Sequence, residues 1–336
     1  MTISHLPIVL LSASLMLMNG VGSNAEDGVL FNRPTDTESR SRVLRASTWL
    51  VDHVVRGKLH EDPELGEISI VAWHDPTLAP DDSSILAGYA ITDTLWASRA
   101  LTIYVPDKAK ELHASLAKLD CLRNNLHEVL FQPVAQICHR SGDLDQMHGS
   151  ELGSLRPGNV TVNVRTFRMK FDADYSIGHP SLFAEHTVYQ ALFEYWSGQE
   201  RQAKERIASI LTPTNDGGQP TVFWDHERRI LVDFVNLKTY KGFLDGQTQT
   251  CRQYTFKIAL LVYAIKLLEI ANLDETLLER MQGTVWSAQL ETGGLAHFID
   301  TTHRGDNIPC SDATAEATAI AILSKTVVRN AARRMR

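Results

Sequence analysis

Between Gln289 and Leu323 the chain reads QLETGGLAHFIDTTHRGDNIPCSDATAEATAIAIL, where Cys310, Asp312 and Glu316 crowd the start of a strongly apolar segment. His297 and His303 lie in the loop just before it. A helix that begins at Asp312 puts Asp312 and Glu316 one turn apart on the same face. Two carboxyls so placed repel each other, which raises one pKa and leaves a proton donor near neutral pH. On that reading Asp312 and Glu316 are the candidate catalytic residues. The plainer alternative is a helix cap at Asp312, with Glu316 bound to a neighbouring helix. Cys310, Asp312 and either histidine have the residue types of a zinc site. A lone cysteine lacks the paired spacing of such sites, so neither a metal nor a cofactor is expected.

The elements that position these residues are mostly helices. Glu38–Val55 places Val43, Leu50 and Val54 on one stripe. Asp81–Tyr104 opens on the capping run DDSS and stops before Pro106, which opens the next helix. Pro180–Trp196, Glu200–Leu211, Thr250–Ile270, Asp274–Gln289 and Asp312–Val328 complete the set. Val160–Phe171 alternates with the period of a strand, and Thr221–Phe234 reads as a hairpin turning at Asp225–Arg228.

Four helices share one plan, a polar start followed by an apolar body: DDSSILAGYAITDTLW, HPSLFAEHTVYQALFEYW, QTCRQYTFKIALLVYAI and SDATAEATAIAIL. A helix apolar on every face is buried on every side. Alternation of such helices with amphipathic ones predicts two concentric layers. The expected fold is therefore all-α, an α/α toroid with small β insertions near 160–171 and 221–234. In such a ring the inner helices run the same way, and their N-termini present free N–H groups and partial positive charge at one end. The pit there is expected to place Asp82, His179, Tyr254, His297 and His303 as substrate-binding residues beside Asp312 and Glu316.

Composition narrows the function. The chain has 336 residues, with 33 Lys and Arg against 40 Asp and Glu, for a net charge of −7. That balance, without long charge runs, argues against a nucleic-acid partner. Leu6–Met18 is an apolar run too short to span a bilayer, and Ser23-Asn24-Ala25 supplies a cleavage site. Residues 1–25 read as a signal peptide and 26–336 as one domain, with no membrane span after cleavage and a secreted or extracytoplasmic location. An even count of cysteines in an exported chain favours disulfides. Of the three possible connectivities, local spacing favours Cys121–Cys138 with Cys251–Cys310. Asn159-Val160-Thr161 is a glycosylation sequon at Asn159. No nucleophile elbow, phosphate-binding Gly loop, dinucleotide fingerprint or His-Glu-x-x-His motif occurs in the sequence.

The C-terminal stretch resembles the terpenoid-cyclase and protein-prenyltransferase superfamily of α/α toroids, mainly over residues 274–328. Its members repeat an outer helix ending in Gln, then a Gly turn with an aromatic. Gln289-Leu290-Glu291-Thr292-Gly293-Gly294 followed by Phe298 is similar. Cyclases of oxidised squalene carry Asp-Cys-Thr-Ala-Glu at the head of an inner helix, where the Asp protonates the substrate. Asp312-Ala313-Thr314-Ala315-Glu316 corresponds to it, and the resemblance implies Asp312 as the acid. Position 313 is Ala rather than Cys, and Leu295 stands where the repeat places Trp. Three functions follow as expectations: isoprenoid cyclisation by acid catalysis, a polysaccharide lyase or glycoside hydrolase acting on an oligosaccharide, and a non-catalytic extracellular binding domain.

Overall fold

The computed structural model describes residues 22–24, 29–58, 60, 63–72, 90–118, 148–155, 162–168, 184–196, 198–211, 223–225, 230–232, 253–270, 273, 275–300 and 308–329. Among these the chain is mainly helical, with eight helices and five small antiparallel sheets. The helices are α1 Thr37–Asp52, α2 Ala90–Leu101, α3 Pro106–Lys118, α4 Ala184–Trp196, α5 Glu200–Leu211, α6 Thr255–Leu268, α7 Glu275–Ser287 and α8 Ala315–Thr326. No described helix is long and apolar enough to cross a membrane.

Patterning decides which helices are central. In α6 every residue but Lys266 is buried, and in α8 every residue but Lys325. The other kind of helix buries one stripe: Val43, Ala46, Trp49 and Leu50 in α1, or Ala203, Ile207 and Ile210 in α5. In space α2, α8, α6 and α4 pack side by side in that order. Around them α3 lies on α2, α1 on α8, α7 on α6 and α5 on α4.

Several helix ends differ from the sequence expectation, and at three of them backbone pairing of the flanking residues explains the difference. Helix α1 stops at Asp52 rather than Val55. Val54 and Val55, β-branched and stiff, instead pair with Val71 and Ile70 in the hairpin β3 (Val54–Lys58) and β4 (Glu67–Val71). Helix α6 starts at Thr255, not Thr250, since Gln253–Tyr254 (β9) pairs with Phe298–Asp300 (β10). Helix α8 starts at Ala315, not Asp312. Its N-cap is Thr314, whose Oγ1 accepts from the Ala317 N–H. The expected β pieces are present: Val162–Arg168 pairs with His148–Leu155, and Phe223–Asp225 with Ile230–Val232.

The Gly turn after α7 is stitched to α1. The Gln289 amide donates to the carbonyls of Arg42 and Gly293, both at 2.9 Å, and its Oε1 accepts from Arg45 at 3.1 Å. Gly293 has φ +103°, and a Cβ there would lie 2.7 Å from the Arg45 carbonyl oxygen. At Gly294 a Cβ would come within 2.6 Å of both Trp49 and Ala313. Trp49 of α1 thus covers the turn that leads into the site.

Candidate functional site

Beyond the turn, Leu295–Ile299 runs across two helix starts at once. The Thr255 N–H donates to the His297 carbonyl at 2.9 Å, which ties in α6. On the other side, the His297 N–H donates to the Asp312 carbonyl and the Thr314 N–H to the Leu295 carbonyl, both at 3.0 Å. The Leu295 N–H reaches Thr318 Oγ1 at 2.9 Å. Backbone bonding, rather than side-chain chemistry, therefore holds the N-termini of α6 and α8 beside each other.

Four charged residues meet at these ends. Asp93 of α2, Glu185 of α4, Lys257 of α6 and Glu316 of α8 each lie near the start of a central helix, at 0, 8, 4 and 8 % exposure. Lys257 Nζ stands 2.9 Å from Glu185 Oε2. Burial pushes the Glu316 carboxyl up to about 8, the charge of Glu185 adds to the rise, and Lys257 opposes it. Burial, then the neighbouring Glu316, holds Asp93 well above the usual carboxylate range. Neither carboxyl oxygen of Asp93 has a hydrogen-bond partner among the described residues. Thr255 Oγ1, at the first position of α6, is likewise without one. Deeper lie three rings. Trp96 is 6.5 Å from Tyr189 and 6.0 Å from Tyr263, centroid to centroid. Burial and then Glu316 raise the Tyr189 phenol well above its ordinary value.

Lys257 also joins this cluster, the floor of the expected pit, to a group of aromatic rings, its rim. Tyr254, His297 and Phe298 are half-buried, with Tyr254 5.0 Å from His297 and 4.5 Å from Phe298. Phe256 stacks on His297 at 5.9 Å. Lys257 Nζ lies 4.6 Å from the Tyr254 ring centroid, so one ammonium touches both rim and floor.

Of the residues singled out in the sequence, the structure brings Tyr254 and His297 together and sets Glu316 in the floor beneath them. Asp312 is exposed and precedes the N-cap, so it shares no helical face with Glu316. The charged partners of Glu316 are Glu185, Lys257 and Asp93 instead. Asp82, His179, His303, Cys121, Cys138, Cys251 and Asn159 lie outside the described residues. Cys310 follows β11 (Ile308–Pro309), and its N–H donates to the Phe298 carbonyl.

Sequence reasoning missed Asp93, Glu185 and Lys257. Their signal was present: each is a charged residue near the start of a largely apolar helix, in the strings ITDTLW, AEHTVY and TFKIAL. A charge in such a helix has no solvated face and must meet a partner or a ligand.

Chemically, the floor offers a carboxyl that keeps its proton near neutrality, a second carboxyl with open oxygens, and a buried ammonium–carboxylate pair. No three His, Cys, Asp or Glu side chains among the described residues are placed to hold a metal ion. The chain matches no protein-family model, no curated protein and no solved structure.

Proposed function

We propose that this chain is an exported α/α-toroid enzyme that acts on a hydroxyl-rich, carbohydrate-type substrate in the pit at the four helix N-termini, with Glu316 as the proton donor. The observation that carries this reading is the buried Glu316 carboxyl, pushed up to about 8 beside Glu185 and near Asp93, whose oxygens have no hydrogen-bond partner among the described residues. A general acid works best with a pKa near the operating pH. Buried polar atoms need hydrogen-bond partners, and sugar hydroxyls supply them where a hydrocarbon leaves them unmet. Acid catalysis moves from Asp312, which the cyclase resemblance implies, to Glu316.

The toroid is supported by the order of the central helices, each backed by an amphipathic one, and by the Trp96–Tyr189 contact that links the two ends of that row, α2 and α4. The Cys251–Cys310 pairing rests on the cysteine count and spacing of the sequence. Thiol titration of the denatured, unreduced chain should find no free thiol if both predicted disulfides form.

Isoprenoid cyclisation is the second reading, favoured by the rings of Trp96, Tyr189 and Tyr263, whose faces stabilise positive charge. Assays of neutral, uronate-containing and amino-sugar oligosaccharides against epoxidised polyenes separate the two. Turnover of the oligosaccharides is expected. Glu316→Gln should lower it roughly 10²–10⁴-fold, while Asp312→Asn leaves it unchanged. The reverse pattern sinks the assignment of Glu316, and turnover confined to polyenes sinks the substrate class.

A further inference from the structure

The charges of the floor are unevenly met. The Lys257 ammonium stands against Glu185 at 2.9 Å. Asp93 is 0 % exposed, its charged neighbour is Glu316, and both its oxygens are open among the described residues. Aromatic rings lie one turn further along the same helix faces. Trp96 follows Asp93 on α2, and Tyr189 follows Glu185 on α4, with the two rings 6.5 Å apart. Carboxyls set beside ring faces are what a desolvated alkylammonium group requires, since the carboxylates accept its N–H bonds and the rings offer negative faces to its charge. Thr255 Oγ1 adds a further unpartnered polar atom at the start of α6.

We infer that Asp93, with the rings of Trp96 and Tyr189, forms a site for a protonated amine, so that the carbohydrate substrate is an amino sugar. This rests on the pit admitting a carbohydrate-type ligand at all. Protons balance on binding. Asp93, held well above the usual carboxylate range, gives up its proton to solvent when the ligand arrives as an ammonium and to the ligand when it arrives as a free amine. The carboxylate so formed pairs with the ammonium, while Glu316 keeps its proton. Each ligand that arrives as an ammonium therefore displaces roughly one proton.

The test is calorimetry on the full chain near neutral pH, using tetramers of glucosamine, N-acetylglucosamine and glucose in buffers of different ionisation enthalpy. The glucosamine tetramer should bind at least about ten-fold more tightly than the other two, as expected for hydrogen bonds to a charged group. It alone should release protons. Asp93→Asn should remove the preference and keep the affinity for the glucose tetramer. Equal affinity for all three overturns the amine site while leaving the carbohydrate pit standing. Binding of none overturns both. A preference that survives in Asp93→Asn marks attraction to the acidic surface and overturns the site. Where Asp93→Asn does not fold, proton release by the unmodified chain decides: none released overturns the inference.

Discussion

Helix α4 carries a buried glutamate near each end, each paired with a cation, in clusters that are differently satisfied. At its C-terminal end, Glu194 receives Arg206 Nε at 3.0 and 2.9 Å and Arg206 Nη2 at 2.5 Å. Gln190 of the same helix adds a bond at 3.4 Å. Both charged side chains are 2 % exposed, so this seam between α4 and α5 is dry and paired. At the N-terminal end, Glu185 and Glu316 both lie within reach of the charge of Lys257, and Asp93 makes no hydrogen bond among the described residues. Burial alike, the clusters differ at Asp93, whose oxygens find no hydrogen-bond partner among the described residues. A closed buried pair fixes how two helices pack, whereas an open one keeps pKa values displaced and binding capacity in reserve.

The sharpest way to break that contrast is Arg206→Ala, which strands Glu194 as an uncompensated buried charge and should cost about 3–5 kcal/mol of folding stability in urea melts. A loss under about 1 kcal/mol, the range of surface pairs, would make the seam no more structural than an exposed ion pair.

Next in size is Glu316→Gln. The folded chain holds this proton up to about pH 8, whereas the unfolded chain releases it near the ordinary value of 4.5. Between those values the folded state binds more protons, so native stability falls as pH rises through the window. The glutamine variant should lack that slope and be more stable at pH 8 and above by an amount on the order of a few kcal/mol. Parallel stability–pH curves for the two proteins would show that the floor is as well satisfied as the seam.

The smallest effect belongs to Glu111 of α3, near the surface. Burial pushes it up, but hydrogen bonds from Lys108 at 2.7 Å, Ser69 at 2.6 Å and Arg56 at 2.5 Å outweigh that and carry it down to about 2. Its contribution is present above pH 4.5 and is lost as pH falls toward 2. Glu111→Gln should therefore weaken the chain at neutral pH, by less than about 1 kcal/mol because solvent screens the cluster. The slopes for Glu316 and Glu111 should have opposite signs; a common sign undoes the contrast between open and closed carboxyl clusters.

Much of the helical frame was legible in the sequence. Pro106 opens α3, Glu200–Leu211 is α5 as expected, and the apolar bodies of α6 and α8 are buried on every face. The ends were less legible, because strands compete there for the same N–H and C=O groups. Gln253–Tyr254 pairs with a strand beyond α7, and no local propensity reports a partner so far along the chain. In the site, Tyr254, His297 and Glu316 could be found from their place at helix starts. Asp93, Glu185 and Lys257 were passed over, since each sits inside an apolar string that reads as core.

The sequence alone determined the helical class, the distinction between all-round apolar and one-sided helices, and the acidity of the chain, because periodicity and charge are local properties. The tertiary structure decided which charges meet. Moving the start of α8 from Asp312 to Ala315 leaves Asp312 in water and buries Glu316 beside Glu185, Lys257 and Asp93. A carboxyl's pKa depends on burial and on charges brought near by other helices, and neither is written in the residues beside it.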